Sequence, residues 1–118
     1  MSAPRVFKIL THAEHEHLRA NGSFDGSSDD RRDGFIHLSG ASQLRGTLER
    51  HFKGQDGLVL LTLDSAALGQ ALRWEPSRGG QLFPHLFAPL TLSTVIRADE
   101  LSRGGDGNHR IPGWVEEA

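Results

Sequence analysis

Short apolar runs alternate with polar segments along the chain, and the first third shows this pattern most clearly. Four of residues 6–10 are apolar, which predicts a buried strand. Thr11 and Glu14, three residues apart, fit a capping box, so a helix of about ten residues is predicted to begin there and to end near Gly22. Residues 22–34, rich in Gly, Asp and Ser, then predict a long loop.

The middle of the chain repeats the order of strand and helix. Residues 35–38 predict a second strand, and Ser39 is placed to open a helix over about residues 41–52. The longest unbroken apolar run falls within residues 58–63, which therefore predict a fully buried strand. Asp64 follows it and is expected to cap a short helical turn.

The last third of the chain is broken by proline and glycine. Residues 72–75 predict a strand that ends at Pro76, and residues 94–97 predict a final strand. Between them, residues 76–90 combine three prolines with bulky apolar side chains, so we expect an ordered loop packed on the body of the protein. Two helices and about five strands in this order favour a mixed α+β fold.

Length and composition favour one globular domain over residues 1–103, followed by a glycine-rich, loosely held tail over residues 104–118. The chain has 118 residues, 36% of them hydrophobic, which is enough to bury a core. It contains no cysteine, which excludes a thiolate metal site and a cysteine nucleophile. The longest apolar run is far shorter than a bilayer span, so no membrane partner is expected.

Charge and compartment follow from the same counts. Thirteen basic and fifteen acidic residues give a net charge of −2, which excludes a general basic surface for nucleic acid. Because the chain has no cysteine and no apolar leader at its N-terminus, we expect a cytoplasmic protein.

Seven histidines raise the question of a metal site. His12 and His15 lie on one face of the predicted first helix, but His17 does not join them and no third ligand stands at helical spacing. The pattern is more typical of a polar, exposed helix face, so no metal is expected.

His37 differs from the other histidines because it lies inside an apolar strand. Burying an imidazole costs free energy unless its nitrogens find partners. The helix that begins after Ser39 places amide hydrogens and a positive dipole end near it, which indicates an anion pocket. A core histidine with satisfied hydrogen bonds is the alternative.

The segment from Arg73 to His85 holds the densest concentration of reactive side chains. Arg73 and Glu75 are two apart on a strand and share a face, whereas Trp74 points to the opposite face and is expected in the core. Glu75 is placed to orient a ribose hydroxyl or to act as a base, although a plain salt bridge with Arg73 is the alternative. We expect His37, Arg73, Glu75 and His85 to converge on one cleft.

Four segments of the sequence, FKILTHAEH, DGFIHLS, FKGQDGLVLLTLD and LRWEPSRGGQLFPHLFAPL, resemble the DUF952 family of small bacterial proteins in the same order. The resemblance covers residues 6 to about 100. This family is uncharacterised in function and is grouped with the ADP-ribosyltransferase superfamily. The resemblance therefore implies an ADP-ribosyltransferase-like split, mixed or antiparallel sheet with two main helices.

The IHLS string is also similar to the histidine-containing strand of RNA 2′-phosphotransferases, which use NAD. This similarity carries over to His37, which would hold the NAD, and to Ser39 after it. Members of the DUF952 family often have histidine where this chain has Lys8, and tyrosine where this chain has Phe87. Lys8 keeps a donor but cannot accept a hydrogen bond, and Phe87 keeps a stacking face without the hydroxyl.

The resemblance implies NAD as the cofactor or substrate, cleaved at its nicotinamide–ribose bond. Glu75 would stabilise the oxocarbenium-like transition state electrostatically. The implied residues fall into two sets, a catalytic set of Glu75, His37 and His85, and a cofactor-binding set of Lys8, His37, Ser39, Arg73, Arg78 and Phe87. Two alternatives stay open, namely a non-catalytic pocket for a nucleotide or other small anion, and a protein-interaction domain with structural histidines.

Overall fold

The structure, a computed structural model, describes residues 4–117 except for the side chains of Arg78, Glu116 and Glu117. The strands in this part of the chain are Arg5–Thr11 (β1), Ser23–Phe24 (β2), Ile36–His37 (β3), Leu58–Asp64 (β4), Leu72–Pro76 (β5), Leu82–Leu86 (β6), Leu90–Thr91 (β7) and Val95–Leu101 (β8). The α-helices are His12–Asn21 (α1), Ser28–Asp33 (α2), Leu44–His51 (α3) and Ser65–Leu68 (α4). None of the helices in the described residues is long and apolar enough to cross a membrane.

The strands form three small antiparallel sheets, with the orders β1-β4-β8, β2-β7 and β3-β6-β5. The predicted mixed α+β domain is therefore confirmed. The first and third sheets meet where Phe7 and Ser39 exchange backbone hydrogen bonds, with N···O distances of 2.8 and 2.9 Å. This junction brings β1 alongside the end of β3, where the sequence places His37.

The core lies on both faces of β1 and β4. Phe7 and Ile9 of β1 belong to one buried apolar cluster, and Val6 and Leu10 belong to the other. Because side chains alternate along a strand, Lys8 shares a face with Val6 and Leu10 and is buried there. A buried ammonium group needs a negative partner, so Lys8 requires a carboxylate from elsewhere in the fold.

The first predicted helix begins and ends as the sequence indicates. The Glu14 N–H donates to Thr11 Oγ1 (3.2 Å), and the Thr11 N–H donates to Glu14 Oε1 (2.9 Å), which completes the capping box. Gly22 ends the helix in the left-handed region, at φ 76°, where a side chain would be strained. The caps predicted at Thr11 and Asp64 are both confirmed.

Replacing Thr11 with alanine should lower the free energy of unfolding by about 0.5–2 kcal/mol, because the Glu14 N–H loses its acceptor. Urea denaturation measures the change. Thr11→Ser keeps the hydroxyl and should retain most of the stability. Equal losses in both variants would show that the methyl group, rather than the cap, is responsible.

The prediction of a long loop over residues 22–34 is wrong. This segment contains the short strand β2 and the helix α2, which Ser27 opens with a second capping box. The Asp30 N–H donates to Ser27 Oγ, and the Ser27 N–H donates to Asp30 Oδ2. Gly34 ends α2 at φ 86°. These caps compensate for the lack of an apolar stripe in this segment.

The predicted ordered loop over residues 76–90 is also wrong, because it contains β6 and β7. Pro84 lies inside β6, the middle strand of its sheet, where proline is rare. The Pro84 carbonyl accepts a hydrogen bond from the Leu38 N–H, just beyond the end of β3. The pairing between β3 and β6 stops at this point, so proline's lack of an N–H is tolerated there. Trp74, expected in the core, is 42% exposed.

Two further boundaries differ from the prediction. The strand expected over residues 35–38 is only two residues long, and the last strand, β8, is longer than the predicted residues 94–97.

The segment after β8 makes several contacts with the body of the protein. Val115 is 1% exposed and belongs to the same apolar cluster as Phe7. The Trp114 ring lies 6.3 Å from the Phe7 ring, centroid to centroid. His109 is buried, with Nε2 2.7 Å from the Gln55 carbonyl oxygen. The C-terminal segment therefore packs on the face of β1 that is opposite to Lys8.

Candidate functional site

His37 and His85 stand directly opposite each other on β3 and β6. Their ring centroids are 5.8 Å apart, so a single ligand can touch both, as the sequence predicts. Both side chains line a cavity of about 570 Å³, which is bounded by β1, α2 and α3 as well as by these two strands. The cavity falls in the range of roughly 300–1,000 Å³ that is typical of small-molecule sites.

Asp30 of α2 is the centre of a buried hydrogen-bond network at one end of this cavity. Its carboxylate is 2% exposed. The Lys8 ammonium donates to Oδ2 at 2.9 Å, and the Ser27 N–H donates to the same oxygen at 2.9 Å. The His37 N–H donates to Oδ1 at 3.1 Å, and His37 Nδ1 lies 2.6 Å from it. Asp30 thus supplies the carboxylate that the buried Lys8 requires.

The contacts of Asp30 decide its ionisation. Burial alone raises the pKa of this carboxyl group, but the His37 hydrogen bond, the Lys8 charge and hydrogen bond, and the Ser27 N–H together lower that pKa well below its usual range. Asp30 is therefore ionised at neutral pH and holds Lys8 and His37 in fixed positions.

This lowered pKa predicts a pH dependence of stability. A carboxyl group whose pKa is lower in the folded state stabilises the protein above its unfolded pKa of about 3.9, and this contribution is lost as the pH falls further. The difference in unfolding free energy between the wild type and Asp30→Asn should therefore shrink between about pH 5 and pH 2. Urea denaturation across this range measures it. A difference that stays constant over the range would contradict the network.

The second nitrogen of His37 faces another carboxylate. His37 Nε2 lies 3.0 Å from Asp33 Oδ2, at the last residue of α2. Arg32 Nε donates to Asp33 Oδ1 at 3.1 Å, and its hydrogen bond and charge, with a smaller contribution from His37, lower the pKa of Asp33. His37 therefore lies between two ionised carboxylates, those of Asp30 and Asp33.

His85 has one carboxylate partner and is 5% exposed. Its Nδ1 lies 2.8 Å from Glu75 Oε1 on the neighbouring strand β5. If Nδ1 carries the hydrogen, Nε2 keeps a lone pair, because neutral imidazole has one donor and one acceptor. Phe35 stacks on His85 with ring centroids 4.0 Å apart, and its centroid is 4.6 Å from that of His37. Phe35 therefore fixes both imidazole rings.

The other expected site residues divide into two groups. Lys8 and Ser39 line the cavity with the two histidines. The prediction that Ser39 opens a helix is wrong. The Ser39 hydroxyl lies 2.8 Å from that of Thr47, and Gly40 instead precedes the 3₁₀ turn Ala41–Gln43 that leads into α3.

Arg73, Glu75 and Phe87 are not among the residues that line the cavity in the described part of the chain. Glu75 reaches it only through His85, and the Arg73 guanidinium lies 5.1 Å from the centre of the Phe87 ring. Phe87 is 40% exposed and lies against Phe35. The Arg78 side chain falls outside the described residues.

The sequence did not single out three residues that organise the site, namely Asp30, Asp33 and Phe35. The spacing of Ser27 and Asp30 is a capping-box signal and marks the start of α2. It does not show that Asp30 turns inward to Lys8, 22 residues away.

The histidines of α1 lie outside this site. His12 Nε2 pairs with Glu100 Oε1 at 2.9 Å on the surface. Among residues 4–117, with the omissions stated above, no group of three or more His, Asp or Glu side chains is arranged to hold a metal ion.

Comparison with known proteins gives a family and a fold. The sequence model described as "Protein of unknown function (DUF952)" matches residues 9–98. The crystal structure of protein CC0527 from Caulobacter crescentus has 43% sequence identity, covers 95% of this chain and 98% of that chain, and has a TM-score of 0.90. The solution NMR structure of CC0527 has 43% identity, covers 97% and 96% of the two chains, and has a TM-score of 0.81. No curated protein matches this chain.

Proposed function

This chain belongs to the DUF952 family of proteins of unknown function, and we propose that its cavity binds a nucleotide of the NAD or ADP-ribose type. The observation that carries the proposal is the pair of imidazoles, His37 and His85, 5.8 Å apart on one cavity wall and each held at Nδ1 by a carboxylate. Carboxylate-backed imidazoles are arranged for acid–base chemistry on a bound ligand.

The rest of the cavity lining suits the parts of a nucleotide. The aromatic rings of Phe52 and Phe83 offer surfaces for a base or a nicotinamide ring. Hydroxyl groups of Ser27, Ser28 and Ser39 offer partners for ribose and phosphate oxygens. The similarity of the IHLS string to the histidine-containing strand of RNA 2′-phosphotransferases, which use NAD, supports the same ligand class. A cytoplasmic location, which the sequence predicts, would give the cavity access to NAD.

Within this proposal, Glu75 is a positioning residue. Its carboxylate makes a hydrogen bond with His85 Nδ1 and does not contact the ligand. His85 Nε2 would take a proton from a water molecule whose oxygen attacks the ribose carbon that bears nicotinamide. The carbon–nitrogen bond breaks as the new carbon–oxygen bond forms, and its electron pair leaves with nicotinamide. Glu75 thus takes the role of holding the base rather than stabilising the oxocarbenium-like transition state directly.

Calorimetric titration with NAD, ADP-ribose and a 2′-phosphorylated nucleotide tests the binding. We expect His37→Ala and His85→Ala to weaken binding by about ten-fold or more, and the exposed His12→Ala to leave it unchanged. Binding that is equal in all variants would contradict the site. If none of the three ligands binds the wild type, the proposal fails and the histidines are structural.

Mass analysis of released nicotinamide separates an enzyme from a binding module. Glu75→Gln should keep the unfolding free energy within about 1 kcal/mol, because its side chain is 39% exposed. It should lower kcat more than it raises KM and should change the pH–rate profile, since the orientation of His85 is lost. Unchanged turnover would contradict the role of Glu75. Binding without any nicotinamide release would favour the non-catalytic module.

A further inference from the structure

We infer that the Ser39 hydroxyl determines specificity as a hydrogen-bond acceptor, which selects a ligand ring that carries an N–H donor. This acceptor role rests on the proposed function and deepens it, since it names the chemistry that one wall of the cavity recognises. Ser39 lines the cavity and is 4% exposed, so its hydroxyl belongs to the buried wall and not to the open surface.

Two contacts fix the hydrogens of Ser39 and Thr47. Ser39 Oγ lies 2.8 Å from Thr47 Oγ1, and the Thr47 hydroxyl donates to the Gln43 carbonyl oxygen at 3.1 Å. A hydroxyl group has one hydrogen to donate, so Thr47 has none left for Ser39. In the opposite arrangement, the oxygens of Thr47 and Gln43 would lie 3.1 Å apart with no hydrogen between them. The Ser39 hydroxyl is therefore the donor in its contact with Thr47.

This direction leaves the Ser39 hydroxyl with lone pairs and no hydrogen for a ligand. A hydroxyl oxygen has two acceptor positions, and no group in the described part of the chain donates to Ser39 Oγ. A ligand must therefore bring an N–H or O–H to this point, and a phosphate oxygen, which only accepts, is disfavoured. The Ser27 hydroxyl differs, because it accepts from the Asp30 N–H at 3.2 Å and keeps its own hydrogen for a phosphate oxygen.

Hydrogen bonds on both sides of Ser39 bring it beside an aromatic side chain of the wall. The N–H of the residue before Ser39 donates to the Pro84 carbonyl oxygen at 3.0 Å, and Gln43 Nε2 donates to the Leu82 carbonyl oxygen at 2.7 Å. Phe83 lies between these two acceptors, is buried and lines the cavity. A flat ring packed on Phe83 would bring its edge to Ser39.

The ligand group at Ser39 is therefore an N–H on the edge of a flat ring. The proposed ligand class contains two such groups, the carboxamide of nicotinamide and the amino group of adenine. Both donate a hydrogen bond without carrying charge, which suits a buried hydroxyl acceptor.

Amide ¹H–¹⁵N NMR titrations with matched pairs of neutral probes test the acceptor. Nicotinamide and methyl nicotinate differ in the carboxamide N–H, and adenosine and inosine differ in the exocyclic amino group. We expect the member of one pair that carries this N–H to bind about five-fold or more tightly than its partner, and to shift the Ser39 amide. The pair that shows the preference identifies the ring at Ser39.

Substitutions separate the acceptor from a merely structural serine. Ser39→Ala should remove the preference, whereas Ser42→Ala should retain it, because Ser42 is exposed and is not among the described residues that line the cavity. Thr47→Val removes the acceptor of the Ser39 hydrogen and frees that hydrogen for the ligand, so the preference should fall to within about two-fold. Thr47→Ser keeps the acceptor and should retain the preference.

The outcomes for Ser39 are distinct from those for the proposed function. Equal affinities within both pairs, no shift of the Ser39 amide with any probe, or a preference that survives in Ser39→Ala would overturn the acceptor role even if NAD or ADP-ribose binds the wild type. A preference that is lost in Ser39→Ala and Thr47→Val but kept in Thr47→Ser supports the acceptor role even if neither NAD nor ADP-ribose binds.

Discussion

Replacement of Asp30 by alanine is expected to lower the free energy of unfolding by about 3–5 kcal/mol, the usual result of breaking a buried ion pair from one side. The reason is that four donor groups, from Lys8, Ser27 and His37, converge on this one carboxylate. Without it, the Lys8 ammonium is left buried beside the His37 carbonyl oxygen alone. The start of α2 also loses the reciprocal half of its capping box.

Chemical denaturation of Asp30→Ala and Asp29→Ala measures this effect against a neighbour on the same helix. Asp29 is exposed and pairs with Arg32 on the surface, so its replacement should change the unfolding free energy by no more than about 0.5 kcal/mol. Lys8→Met should cost less than Asp30→Ala, because it removes the buried cation instead of leaving it unpaired. A loss below about 1 kcal/mol for Asp30→Ala would contradict the central place of this carboxylate.

Removal of residues 104–118 should be the second large effect, with a loss of at least about 3 kcal/mol of unfolding free energy. The three glycines at 104, 105 and 107 predict a segment that contributes little. The contacts of Val115 and Trp114 with the Phe7 cluster lead us to expect the opposite. Deletion would expose that face of β1 to water.

Thermal unfolding tests the deletion, which should lower Tm by on the order of 10 °C. Val115→Asp should reproduce much of this loss in the full-length chain, because it buries an unpaired carboxylate among apolar side chains. Ile96→Asp is the control on β8, where the side chain is 46% exposed, and it should change Tm only slightly. A truncated chain with the same Tm as the full-length chain would show that residues 104–118 are loosely held.

The parts of the fold that the sequence predicts are those with a local signal. The apolar run of β4 and the pair Thr11 and Glu14 each determine a strand or a helix end within a few residues. The helix α2 has no apolar periodicity, and its buried residue is the charged Asp30, so hydrophobic pattern alone misses it. The strand β6 is not predicted because it contains Pro84, and proline is rare in a middle strand. Pro84 is compatible with this position only because β3 ends beside it.

The sequence also predicts only part of the candidate site. Imidazoles in apolar surroundings need polar partners, and this requirement predicts that His37 and His85 meet. It does not predict which carboxylate holds which ring. Glu75 and Asp30 take these places because strand pairing sets Glu75 next to His85 and the caps of α2 turn Asp30 inward. Such contacts between distant residues depend on the folded backbone, and no motif of fixed spacing in the sequence predicts them.

We propose that the ligand site is the cavity bounded by β1, α2, α3 and the strands of His37 and His85. An amide ¹H–¹⁵N NMR titration with ADP-ribose tests it most directly. We expect the shifted amides to cluster at residues 27–30, 32–33, 37–39 and 85, which line the cavity. Amides of β8, such as Ile96, should not move. Shifts confined to β8, or no shifts at saturating ADP-ribose, would contradict it.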